Sequence, residues 1–296
     1  MYFLRLIRFK NLLIIALTLY FIHFFYILKL KNSLDIAIPI TSIDLFLFVL
    51  AIMLIAGAGN IINDIFDIKI DTINKPNKQI LTKYISVKNA SVFYVIFNVL
   101  SLVIGIYLSF KYNKILLLLF FIASMLLLFV YSKTLKGRFL IGNLLVSLLT
   151  SIIIILIVWF ELPENSFKSH HHSLIYFVAF FAFLLNLMRE IVKDIQDYSG
   201  DLKNNLNTLP IKIGRKNSLI VTKILAFVTL VLLLFSSFRF FNARFYVAAV
   251  LLIIMSLLLV YFLVKTTLNH TKSAQKLLKT IMLIGILTIP FITLKI

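Results

Sequence analysis

Two short strings hold the residues of this sequence best suited to chemistry: NIINDIFDIKID at residues 60 to 71 and EIVKDIQDYSGD at residues 190 to 201. Each has an Asp, a second Asp three positions on and a third four positions after that, and the second copy lies 130 positions after the first. Asp64, Asp67 and Asp71 form one set; Asp194, Asp197 and Asp201 form the other. On a helix turning about 100° per residue, such positions fall within roughly 60° of one another, and Asn60 or Glu190, four residues earlier, joins the same arc. Each string is therefore expected to make a carboxylate stripe. Like charges on one stripe repel, and near a hydrocarbon layer they are costly to desolvate, so a cation must accompany them. In the plainer alternative the strings are solvated helix ends whose acids pair with Lys69, Lys193 and similar neighbours. Recurrence of one spacing favours a shared ligand instead. Oxygen-only donors without His or Cys suit hard divalent ions, and Mg2+ takes one or two carboxylates and fills its shell with water and phosphate oxygens. Two such stripes facing each other would clamp a Mg2+-bound diphosphate.

The elements that position these strings are membrane helices. With 61% hydrophobic residues, 29 Phe, only 14% charged residues and a mean hydropathy of +1.05, the chain could not keep a soluble surface wet. The absence of Cys removes any disulfide framework or thiolate metal site. Apolar runs near 11 to 28, 43 to 63, 91 to 110, 115 to 131, 139 to 160, 173 to 189, 218 to 237, 245 to 264 and 277 to 294 predict nine transmembrane helices. The first run follows a basic head, as a signal peptide would, but it is long enough to span and no small-residue cleavage site follows, so it reads as the first helix. The expectation is an all-α, polytopic membrane bundle, with residues 1 to 296 forming one domain and the Asp strings at the ends of the second and sixth spans.

Charge orients the bundle. Of 30 Lys and Arg, 22 fall on the side of the N-terminus and of the loops after the second, fourth, sixth and eighth spans, which assigns that side to the cytoplasm. The net charge of +19 is then explained by topology and anionic lipid headgroups, with attraction of anionic substrates added, and needs no nucleic acid. Seven of the 11 acidic residues lie on the same side, and all seven belong to the two strings.

NDIFDIKID fits the NDxxDxxxD signature of the UbiA superfamily of intramembrane prenyltransferases, and KDIQDYSGD resembles its second Asp-rich motif. YSKTLK, after the fourth span, stands where that family has a Tyr and Lys loop, so the similarity covers the whole chain. The resemblance implies Mg2+-dependent transfer of an isoprenoid from a prenyl diphosphate to a lipophilic acceptor, at a cytoplasmic site open laterally to membrane lipids. Asp64, Asp67 and Asp71 would hold one metal group with Asn63 as a neutral oxygen ligand, and Asp194, Asp197 and Asp201 the other. Asn60, Asn63 and Glu190 belong to the implied substrate site. Gly200 is expected to end the second motif's helix before Asp201. Lys136, Arg189 and Lys193 are candidates for binding the leaving oxygens, or serve only to orient the protein. Tyr131 would face the developing cation through its ring and phenol oxygen.

Within the superfamily the strings NDIFDIKIDTINKPNKQI, REIVKDIQDYSGD and NTLPIKIGRK look most like the geranylgeranylglycerol-phosphate geranylgeranyltransferase branch. The chain departs from the usual pattern after the first motif, where NKPNKQILTKYIS lacks a second Pro and a Gly. Lys75 and Lys78 in that loop are candidates for a phosphate on the acceptor. An aromatic quinone precursor is the alternative acceptor. A cation transporter is the rival from another class, although transporters place such carboxylates near the midplane in broken helices. Soluble prenyl diphosphate synthases have amphipathic helices, and the DGxxAR signature of phosphatidyl-alcohol transferases is absent. His170, His171 and His172, expected on the opposite face, have few partner ligands.

Overall fold

The computed structural model describes residues 2–34, 38–74, 79–163, 173–268 and 270–292. Helix α1 (Tyr2–Leu6) precedes α2 (Phe9–Asn32), α3 (Ser42–Phe66), the short α4 (Ile68–Asn74), α5 (Val87–Lys111), α6 (Ile115–Leu135), α7 (Ile141–Glu161), α8 (Ser173–Lys203), α9 (Leu209–Asn242), α10 (Tyr246–Thr267) and α11 (Thr271–Ile292). Among the described residues nine of these helices are long and apolar enough to cross a membrane, and there is no strand, only an isolated bridge between Leu81 and Ile85. Phe110, Leu126, Phe227, Phe238 and Leu257 are 61% to 72% exposed, a surface that lipid tolerates and water does not.

Local chemistry sets where the helices begin and end. Thr41 caps α3 by accepting from the Asp44 amide at 3.2 Å, and Ser86 caps α5 by accepting from the Asn89 amide at 3.1 Å. Asn113 and Asn205 lie in the left-handed region just past α5 and α8, as residues closing a helix commonly do. Pro210 sits in the first turn of α9, where its missing N–H costs nothing. Four residues on, Gly214 (φ 83°, ψ 155°) breaks that helix in a conformation a side chain would strain.

Two compact units share the chain. The first comprises Met1–Leu17, Pro39–Gly142 and Ser199–Leu206. In it α3 packs on α5 and α6, and α1 rests on α3 over a core that includes Leu6, Leu12, Ile61, Leu81 and Ala90. Small residues let the helices approach: Ser101 Oγ donates to the Ala51 carbonyl at 3.0 Å. At the start of α3 the buried Asp44 carboxylate accepts from Lys111 Nζ at 2.7 Å, Tyr112 OH at 2.5 Å and Thr41 Oγ1 at 2.5 Å. That charge is thus compensated, as burial demands.

The second unit comprises Thr18–Ile38, Asn143–Tyr198 and Asn207–Ile296. Helices α9, α10 and α11 pack in succession, and Phe181, Leu185, Met188 and Val192 of α8 join Leu233, Leu252, Leu259, Phe262 and Leu278 in its core. Midway along α2 one π-helical turn, His23–Ile27, places His23 Nδ1 2.6 Å from Oε2 of the fully buried Glu161 at the end of α7.

Two expectations need correction. The second Asp string stands at the end of the sixth span as expected, inside α8, which runs through Gly200 to Lys203. Gly200 does not end the helix, because its carbonyl accepts from the Asn204 amide at 3.1 Å and its own N–H donates to Asn74 Oδ1 at 2.8 Å. The first string, conversely, is not one unbroken helical stripe: Asp64 is on α3, Asp67 caps it with φ −85° and ψ 0°, and Asp71 is on α4. Helical hydrogen bonding nevertheless carries through, since Asp67 N donates to Asn63 O at 2.9 Å and Asp71 N to Asp67 O at 2.8 Å.

Candidate active site

The first motif is built in the first unit around the end of α3. Arg8, held at φ 53° between α1 and α2, donates through Nη1 to Asn60 Oδ1 at 3.0 Å and through Nη2 to Asp64 Oδ1 at 2.8 Å. Asn60 Nδ2 returns a bond to the Ile7 carbonyl at 3.0 Å, so the amide and guanidinium fix one another. One turn further, Asn63 Nδ2 donates to Asp67 Oδ2 at 2.7 Å, and Lys136 Nζ forms an ion pair with the same oxygen. Both Asn63 and Asp67 are only 5% exposed, and Asn63 Oδ1 is buried without a donor.

A π-helical turn, Tyr131–Leu135, delivers that lysine. Its closing bond runs from the Lys136 amide to the Tyr131 carbonyl at 2.9 Å, and Tyr131 is buried beside Gly142. A Cβ at Gly142 would lie 3.0 Å from the Tyr131 ring and from the Lys136 backbone, so glycine lets the chain close there. The same unit holds Asp71 and the last turn of α8 with buried Asp201, joined to α4 by the Asn74 bond to Gly200.

In the second unit Glu190, Asp194 and Asp197 are all buried on α8. Asn143, near the start of α7, donates through Nδ2 to Asp194 Oδ2 at 2.7 Å. Arg189 Nη2 donates to Glu190 Oε1 at 2.7 Å, and Lys193 Nζ lies 3.6 Å from Glu190 Oε2. Arg189 Nε is buried with no acceptor, a donor suited to an anion.

The structure thus brings Asp64 to Arg8 and Asn60, Asp67 to Asn63 and Lys136, and Glu190 to Arg189 and Lys193. Lys75, Lys78 and the three consecutive histidines lie outside the described residues. Arg8, which the sequence presents only as part of a basic head, and Asn143 were missed. The available signal for Asn143 was a lone amide in the apolar string GNLLVSLL, since polar groups inside spans are costly and so tend to have work to do.

Among the described residues no three His, Asp or Glu side chains converge into a metal cage. This donor set still fits Mg2+, which needs few protein carboxylates when phosphate oxygens and water complete its shell. The buried, donorless Asn63 oxygen beside Asp67 is an oxygen ligand of the required kind.

The sequence matches the UbiA prenyltransferase family over residues 36–284. This chain belongs to that family. The matched region of this UbiA member contains both Asp motifs, the Tyr131 turn and Asn143, while Arg8 precedes it. A curated relative, digeranylgeranylglyceryl phosphate synthase of Methanosphaera stadtmanae, is 32% identical over 240 residues, covering 80% of this chain and 82% of its own. A solved structure described as that of a digeranylgeranylglyceryl phosphate synthase in membranes superposes with a TM-score of 0.63 at 26% identity, covering 100% of this chain and 98% of its own. A UbiA homolog from Archaeoglobus fulgidus, solved bound to GPP and Mg2+, shares the fold with a TM-score of 0.62 at 18% identity, covering 98% of each chain.

Proposed function

We propose that this UbiA prenyltransferase is an integral membrane enzyme that moves a geranylgeranyl group from its diphosphate to geranylgeranylglycerol phosphate, working at the cytoplasmic face. The observation that carries the reading is the buried trio of Asn63, Asp67 and Lys136, where an acceptor oxygen without a donor, a carboxylate and an ammonium meet. Support for the acceptor comes from the Methanosphaera relative and its name. The family match runs through segments of both compact units, so residues 1–296 are taken as one prenyltransferase domain.

Asp64, Asp67 and Asp71 with Asn63, and Asp194, Asp197 and Asp201, are the residues that would hold Mg2+. Bound there, the metal would neutralise the diphosphate so that the allylic C1–O bond breaks with its electron pair leaving on the diphosphate. Lys136 and Arg189 bind the departing oxygens, Lys136 from its place on Asp67 and Arg189 through its open Nε. Lys193 helps hold Glu190 against Arg189. Tyr131 offers its ring face to the allylic cation. The acceptor hydroxyl oxygen then bonds to C1 and its proton passes to a carboxylate or diphosphate oxygen, which balances the reaction. Asn60 shapes the substrate side through Arg8, and Lys75 and Lys78 are assigned to the acceptor phosphate.

Purified protein given radiolabelled geranylgeranyl diphosphate and a panel of acceptors tests the assignment. Product with geranylgeranylglycerol phosphate is expected. Product with 4-hydroxybenzoate or dihydroxynaphthoate alone would replace the acceptor and keep the transferase.

A further inference from the structure

We infer that Asn143 is a positioning residue that orients the Asp194 carboxylate to receive a divalent cation. The inference rests on the metal-binding reading of the second motif and adds a residue from outside it.

The two motifs differ at the position before their first Asp. Asn63 stands directly before Asp64 in the first, and Lys193 stands directly before Asp194 in the second. In the first motif the Asn63 amide donates to Asp67 Oδ2 at 2.7 Å, holding that carboxylate from within the same string. With a lysine at the matching place, the second motif contains no such amide. Asn143 supplies one from another helix, to the first carboxylate of the string rather than the second, its Nδ2 donating to Asp194 Oδ2 at the same 2.7 Å across 51 positions of sequence.

The chemistry of the donor matters. A neutral amide fixes the plane of the carboxylate without adding a positive charge of its own. Asn143 is only 7% exposed, and its backbone carbonyl accepts from Ser147 Oγ at 2.7 Å, so the amide is presented from a firm turn of α7. Among the leucines of GNLLVSLL, a side chain serving only to pack would be apolar.

The test uses the full chain purified in detergent, with geranylgeranyl thiolodiphosphate present and Mn2+ as a paramagnetic probe whose bound fraction is read by electron paramagnetic resonance. Asn143→Leu keeps the branched outline of the side chain and removes the donor. It is expected to weaken Mn2+ binding by about 10- to 100-fold and to raise the Mg2+ concentration for half-maximal transfer by a similar factor. Its thermal midpoint in chelator should match that of the wild type. Asn143→Ser, too short to reach Asp194, folds with less risk and carries the same expectation. Mn2+ affinity unchanged in both variants, with the site still lost in Asp194→Ala, would overturn the role of Asn143 alone. A wild-type protein with no Mn2+ site that Asp194→Ala removes would overturn the metal reading itself, and this inference with it.

Discussion

Asp67 is the side chain on which most of the proposed chemistry converges. It accepts from Asn63 and pairs with Lys136, both brought to it inside one compact unit. A lysine paired with a buried carboxylate is pre-oriented, so it can meet the developing charge on a leaving diphosphate without reorganising. Lys136→Met should therefore lower kcat by about 10²- to 10³-fold, measured in single-turnover transfer. A loss confined to KM would place Lys136 in uniform binding instead. Arg8 differs because its side chain is 36% exposed. Arg8→Leu should cost stability by less than about 1 kcal/mol, read from thermal unfolding in detergent, while activity falls because Asp64 and Asn60 lose their shared donor.

At the scale of elements, the helices do more than span. The nine spans were legible because long apolar runs have one meaning in a chain this hydrophobic, and most boundaries fall within a few residues of those expected. Two features were hidden. Hydropathy placed the end of the sixth span near residue 189, yet α8 continues to Lys203, because polar helix beyond the hydrocarbon has no hydropathy signal. The second is tertiary: Arg8 and Asn143 reach Asp64 and Asp194 across 56 and 51 positions, and no local pattern records such pairs. The bond between His23 and Glu161 is of this kind as well, joining the π turn of α2 to the end of α7. Glu161→Ala should destabilise by about 1–3 kcal/mol, because a buried polar group loses its partner. The double change His23→Leu with Glu161→Leu should recover most of that loss in the same unfolding measurement.

For the whole molecule, the strong charge asymmetry and the seven clustered acids support the proposal that the active face looks into the cytoplasm. Since the chain has no Cys, single cysteines report topology directly. Asn113→Cys should react with a membrane-impermeant maleimide in intact cells, and Asn205→Cys only after permeabilisation. The reverse pattern would invert the assigned orientation. The central claim is metal-dependent prenyl transfer by the two Asp motifs, and transfer measured with purified protein in excess chelator, then with Mg2+ restored, tests it most directly. Product should vanish in chelator, return with Mg2+, and stay absent with Mg2+ in folded Asp67→Ala and Asp194→Ala proteins. Full transfer in chelator, or by either variant, would contradict the account.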